Sequence, residues 1–176
     1  MLKKTKFKDL IIIENKSFKD NRGYFKELLK ENKIKKKFLF SVMSYSKKNV
    51  IRGLHLQTKY SQEKYVSVLK GAILDVVVDL RKESRTYGKH YKIILSDENA
   101  KSIFIPAGFA HGFLALKKEN IIYYTCTNYR SAKHEVCILL NYKDLKIKWP
   151  IKKPIVSKKD KKLRTFEDFK KVYKGL

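Results

Sequence analysis

An all-β sandwich or barrel is the fold class predicted for this 176-residue chain. Short runs of β-branched and aromatic residues recur along nearly its whole length, the turns between them are polar or carry glycine, and helical spacing shows only near the end. In order, the runs are Leu10–Ile13, Tyr24–Leu29, Phe38–Tyr45, Val50–His55, Tyr65–Leu69, Ile73–Leu80, Tyr91–Leu95, Lys101–Ile105, Gly112–Leu116, Ile121–Asn128 and Glu135–Leu140. Eleven short strands are too many for a mixed α/β layout of this length. Six of the seven glycines, at 23, 53, 71, 88, 108 and 112, fall where runs stop, start or bend.

The run from Ile73 to Arg81 is almost wholly apolar yet carries Asp75 and Asp79. Even spacing puts both on one face of a strand, where a buried carboxylate needs a cationic or hydrogen-bonding partner. For Asp79 the polar face of a half-exposed strand fits equally well. Thr165-Phe166-Glu167-Asp168 reads as an N-cap box, and Phe166, Phe169 and Tyr173 follow at helical spacing. That helix is expected to cover the barrel without a catalytic part. No linker or repeat divides the chain, so residues 1–176 are expected to form one domain.

Composition narrows the function. The net charge is +25, but only six of the 42 basic residues are arginine, at 22, 52, 81, 85, 130 and 164. Lysine scattered through nearly every segment attracts polyanions without reading a sequence, so no specific nucleic-acid partner is expected. Cys126 and Cys137 are too few for a disulfide framework, which points to reduced thiols and a cytoplasmic setting. The apolar run near the start, Leu10–Ile13, is too short for a signal core or a membrane span.

Three segments carry chemistry. Val50-Ile51-Arg52-Gly53-Leu54-His55-Leu56-Gln57 combines a forked anion donor, a flexible residue and an imidazole suited to general-base work. On its own it reads equally as an ordinary sheet histidine beside a surface arginine. Ile105-Pro106-Ala107-Gly108-Phe109-Ala110-His111-Gly112-Phe113 builds a turn that delivers His111 to the next strand, and Gln62-Glu63-Lys64-Tyr65-Val66 brings a lysine into an apolar strand. His90 and His134 have no comparable setting and read as surface or structural residues.

These segments, with Asp20-x-Arg22-Gly23-x-Phe25-x-Glu27, Asp75-Val76-x-Val78-Asp79-Leu80-Arg81, Thr86-Tyr87-Gly88, Thr127-Asn128-Tyr129, Trp149-Pro150 and Ser157-x-Lys159-Asp160, resemble the dTDP-4-dehydrorhamnose 3,5-epimerase family. The motifs keep the family's order from about residue 7 to 165. The resemblance implies a cupin-type antiparallel β-barrel or jelly roll, and a homodimer in which an N-terminal strand crosses to the partner. It also implies an enzyme that epimerises nucleotide-diphosphate-linked 4-keto-6-deoxy sugars with no metal or organic cofactor, in surface-polysaccharide synthesis. Metal-binding relatives in the superfamily use a His-x-His pair, whereas here the second position is Gln57, leaving few suitable ligands nearby in sequence.

Carried over residue by residue, His55 matches the base, Asp160 its orienting partner, Tyr124 the acid on the opposite face and Lys64 the cation near the enolate oxygen. Tyr123, adjacent in the strand, should point the other way. His111 with Asp75 matches a supporting polar pair. Arg22, Glu27 and Arg52 fall at positions associated with nucleotide and diphosphate binding, and Gln57 and Tyr129 belong to the matching motifs.

The chain departs from the family in recognition positions. Phe40 and Val42 stand where Gln-x-Asn is common ahead of Ser44 and Ser46, Leu56 replaces an aromatic, and Ser67 an arginine. A GDP-linked 4-keto-6-deoxy-heptose therefore stands beside dTDP-4-keto-6-deoxy-glucose as an expected substrate. A 3,4-ketoisomerase and a non-catalytic sugar-nucleotide or polyanion-binding barrel share the scaffold. Retention of His55, Asp160 and Tyr124 favours epimerisation over both.

Overall fold

The computed structural model describes residues 1–138, 145–161 and 165–173. Its strands are β1 (Leu2–Lys4), β2 (Ile11–Glu14), β3 (Ser17–Asp20), β4 (Gly23–Lys26), β5 (Phe40–Lys47), β6 (Ile51–Gln57), β7 (Lys64–Lys70), β8 (Ala72–Asp79), β9 (His90–Ser96), β10 (Lys101–Ile105), β11 (Phe109–Ala115), β12 (Glu119–Cys126) and β13 (Glu135–Cys137). Three short helices, α1 (Glu31–Ile34), α2 (Lys158–Lys161) and α3 (Phe166–Tyr173), and a 3₁₀ turn at Ala132–His134 complete the described elements. The larger sheet runs β1-β2-β10-β7-β12-β5, the smaller β13-β6-β11-β8-β9, and β3 pairs only with β4. All these strand pairings are antiparallel, as the expected barrel requires.

Alternation along the strands builds three apolar layers. Val66, Val68, Ile103, Ile105 and Ile122 of the larger sheet meet Ile73, Val77, Leu95, Phe109 and Phe113 of the smaller across the interior. The opposite face of the smaller sheet, with Leu54, Leu56, Val76, Val78 and Ala110, is covered by Leu145, Ile147, Phe166 and Phe169. The outer face of the larger sheet buries Ile13, Tyr65 and Phe104 under Leu29, Ile34 and Phe38.

The helix expected near the end is present and does cover the barrel. Thr165 Oγ1 accepts the Asp168 N–H at 3.0 Å, and the Asp168 carboxylate accepts the Thr165 hydroxyl at 2.8 Å, a reciprocal cap. Other expectations need correction. Helix is not confined to the end, since α1 lies at Glu31–Ile34, and β1 and β3 were not legible as apolar runs. The run Tyr24–Leu29 is strand only to Lys26, and Leu139 and Leu140 of the last run lie outside the described residues. Asp79 is not on a half-exposed face but fully buried. Burial alone would raise its carboxyl, yet hydrogen bonds from Arg81, Ser84 and Thr86 outweigh this and hold it below the usual carboxylate range.

Candidate active site

The site begins where β6 and β11 touch. A Cβ on Gly53 would lie 2.5 Å from Gly112 Cα and 2.7 Å from the His111 carbonyl oxygen, and one on Gly112 would lie 2.6 Å from the Arg52 carbonyl oxygen. Only glycine at both positions permits that approach, and the register shifts there between His111 and Phe113. Beyond the irregularity, His55 sits directly opposite His111 on one side and Cys137 on the other.

Asp160 reaches His55 by a separate route. The segment around Ile155 docks beside the start of β6, where the Ile51 N–H donates to the Ile155 carbonyl at 2.9 Å and the Ile155 N–H to the Asn49 carbonyl at 2.8 Å. Ser157 Oγ then accepts the Asp160 N–H at 3.0 Å, capping α2. This leaves the buried Asp160 carboxylate 2.9 Å from His55 Nε2. On the other side of the ring, Nδ1 lies 3.8 Å from Glu135 Oε1. Burial disfavours the imidazolium and draws the His55 pKa below its ordinary value, against the opposing pull of Asp160.

The larger sheet supplies the facing wall. Phe40, Val42 and Ser44 of β5, Lys64 of β7 and Tyr124 of β12 line the same cleft as Arg52, His55, His111 and Phe113, a space of about 740 Å³. Burial pushes the Lys64 ammonium pKa down and the Tyr124 phenol up. Tyr123 points outward, as alternation required, with its hydroxyl 3.2 Å from Ser41 Oγ. Arg52 is braced by Ser46 Oγ at 3.0 Å and the Tyr45 carbonyl at 3.1 Å. Ser44 Oγ is buried in the wall with no hydrogen-bond partner among the described residues.

His55, Asp160, Lys64, Tyr124, Arg52 and His111 thus converge, as the sequence motifs suggested. Asp75 Oδ2 accepts from His111 Nε2 at 2.7 Å but lies behind it rather than in the cleft wall. Gln57 lines a recess with His55, Lys64 and Tyr124 and also clamps loops, its amide N–H groups donating to the carbonyls of Tyr60 and Tyr129 and its oxygen accepting the Ser131 N–H at 2.6 Å. The Tyr129 ring is exposed and packs against Phe40 at 6.1 Å. Arg22 and Glu27 do not reach this cleft. Arg22 lies in the exposed β3–β4 turn, ion-paired with Asp20 at 2.6 Å, and Glu27 pairs with Lys30 at 2.7 Å in a separate depression beside Tyr65. His90 and His134 are structural, bonded to the Leu145 carbonyl and to Ser131 Oγ.

Sequence reasoning missed Glu135 and Arg130, which are paired at 2.7 Å and both line the cleft. It also counted too few metal-capable ligands near His55. His55, Glu135 and Cys137 bring ligand atoms within 4.8 Å of one another, because β13 lays a distant segment against β6. The available signal was the even spacing of Glu135 and Cys137; the strand pairing itself left no trace in the sequence.

Comparison with known proteins agrees with this geometry. Residues 4–168 match the family described as dTDP-4-dehydrorhamnose 3,5-epimerase. The dTDP-4-dehydrorhamnose 3,5-epimerase of Methanothermobacter thermautotrophicus is 43% identical over 166 residues, covering 90% of either chain. The crystal structure of the enzyme of that name from Elizabethkingia anophelis superposes with a TM-score of 0.89 at 41% identity, over 96% of this chain and 97% of that one. A Legionella pneumophila epimerase in complex with dTDP-4-keto-L-rhamnose gives a TM-score of 0.90 at 37% identity, over 95% and 93%. Among the described residues no helix is long and apolar enough to cross a membrane. With the cupin-like barrel, the converging side chains and these matches together, the chain belongs to the dTDP-4-dehydrorhamnose 3,5-epimerase family of isomerases.

Proposed function

We propose that this protein inverts C3, C5 or both of a nucleotide-linked 4-keto-6-deoxy sugar, with His55, Asp160, Tyr124 and Lys64 carrying the proton transfers. One observation carries the reading: a carboxylate-held imidazole and a half-buried phenol enter one cleft from opposing sheets. The 4-ketone acidifies the protons on C3 and C5, because either carbanion delocalises onto O4 as an enolate. His55 removes such a proton and becomes an imidazolium, which Asp160 stabilises and orients. Lys64 faces the negative charge that develops on O4. Tyr124 returns a proton to carbon from the other face, inverting the centre, and exchange with solvent resets both residues. Arg52 holds the diphosphate, for which its forked donor is suited.

Arg22 and Glu27 act in the cleft of a second copy. The β3–β4 hairpin joins neither large sheet and exposes Phe18, Tyr24 and Phe25, while β5 is an edge strand with Met43 and Tyr45 exposed on its outer face. Exposed apolar patches of this kind support a homodimer in which the hairpin crosses over. The enzyme works in the cytoplasm, in the synthesis of sugars for surface polysaccharides.

The substrate is dTDP-4-keto-6-deoxy-glucose or a GDP-linked 4-keto-6-deoxy-heptose. The names of the relatives favour the first, whereas Phe40 and Val42 in the cleft wall, at positions where Gln and Asn are common, keep the second. Incubation of both in D2O followed by mass spectrometry decides between them. Deuterium gained at one or two carbons of one substrate is the expected result, and uptake into neither removes the enzyme reading.

A further inference from the structure

The edge of the cleft formed by β6 and β13 gathers a donor set that proton transfer does not use in full. An imidazole nitrogen of His55, a Glu135 carboxylate oxygen and Cys137 Sγ lie within 4.8 Å of one another. Register explains the cluster: Cys137 stands directly opposite His55 and Glu135 opposite Gln57, so alternation turns both β13 side chains to the face that His55 occupies. Val136, between them, points instead into the apolar layer beneath the C-terminal helix.

We propose that this cluster is an inhibitory site for a borderline-soft divalent cation of the zinc class. Nitrogen, oxygen and sulfur ligands from three residues match what such an ion takes, with a fourth position left toward the cleft. The surroundings are also those of a metal ligand. His55 already gives its Nε2 to the Asp160 carboxylate at 2.9 Å, the outer partner that fixes a ligating imidazole and raises its basicity. The two oxygens of Glu135 are divided, with Oε2 bonded to Arg130 at 2.7 Å and Oε1 facing His55 Nδ1 at 3.8 Å. In the proposed site Arg130 keeps its bond to Oε2, and Oε1 exchanges its present contacts for the ion. On binding, the Cys137 thiol gives its proton to solvent and ligates as thiolate, with no change of oxidation state. The ion occupies Nδ1, the imidazole nitrogen that Asp160 does not hold, so His55 can no longer accept a proton from carbon. That the bound ion stops turnover rests on the reading of His55 as the base; that the ion binds does not.

Cobalt(II) is the probe, added to the full-length protein after treatment with EDTA. The expected result is a near-ultraviolet sulfur-to-cobalt band that saturates at one ion per chain and is displaced by zinc. The band disappears in Cys137→Ser and in Cys137→Ala, persists in Cys126→Ala, and shows at least tenfold weaker cobalt affinity in Glu135→Gln. No such band in the wild type, or the same band in both Cys137 variants, overturns the site. Zinc is then added during solvent deuterium exchange into the substrate, each protein being compared with its own rate in EDTA. At least tenfold slowing in the wild type, absent in the Cys137 variants, supports inhibition. Undiminished exchange with the ion bound overturns the inhibitory claim, whereas exchange that survives His55→Ala overturns His55 as base.

Discussion

His55 stands between two carboxylates with different duties. Asp160 holds Nε2 at hydrogen-bond distance, whereas Glu135, farther from Nδ1, is anchored to Arg130. His55→Ala is expected to abolish solvent exchange while leaving diphosphate binding largely intact, as read by deuterium uptake and by nucleotide calorimetry. Tyr124→Phe should slow product formation more than exchange, since deprotonation needs only the base; equal loss of both would give Tyr124 another role. The direction of the His55 shift also sets a pH profile. An imidazole whose pKa is lowered by burial stays neutral, and so able to accept a proton, to more acidic pH than a free histidine. The acidic limb of kcat/KM, measured in EDTA, should therefore fall below about pH 6.5.

At the scale of elements, the placement of His55 depends on two glycines. Gly53 has φ of +116° and its missing Cβ is what lets β6 lie against Gly112. Gly53→Ala should cost about 2–4 kcal/mol through strain and overpacking, measured by urea unfolding, and should depress activity further by shifting His55. The terminal helix α3 has the opposite character. Phe169 is fully buried against the outer face of the smaller sheet and takes no part in the cleft wall. Phe169→Ala is expected to lose about 3–5 kcal/mol of stability, with kcat of the folded fraction nearly unchanged. A large fall in kcat at full folding would show that the helix positions the site.

For the whole molecule, the exposed hairpin and the excess charge make separate predictions. Light scattering should give twice the mass of the 20.8 kDa chain. If Arg22 serves the neighbouring cleft, mixing inactive His55→Ala with Arg22→Ala subunits should regain activity, because a mixed dimer holds one cleft with both native residues. No recovery after subunit exchange would return Arg22 to its own chain. The charge of +25 should give weak DNA binding that falls steeply with salt, and sequence-selective binding at physiological salt would contradict the expectation of no specific nucleic-acid partner.

Local signals carried much of this in the sequence alone. Short runs of β-branched and aromatic residues marked β6, β8, β10 and β12, Thr165 and Asp168 marked the cap of α3, and motif order marked His55, Lys64, Tyr124 and Asp160. Periodicity and capping are properties of neighbouring residues, so they are legible along the chain. Tertiary structure decided what depends on residues far apart: that Asp79 is buried under Arg81, that Gln57 clamps loops, and that Arg22 and Glu27 lie away from the cleft. It also brought Glu135 and Cys137 beside His55, since the register of β13 on β6 is set by packing across a long separation that local spacing does not encode.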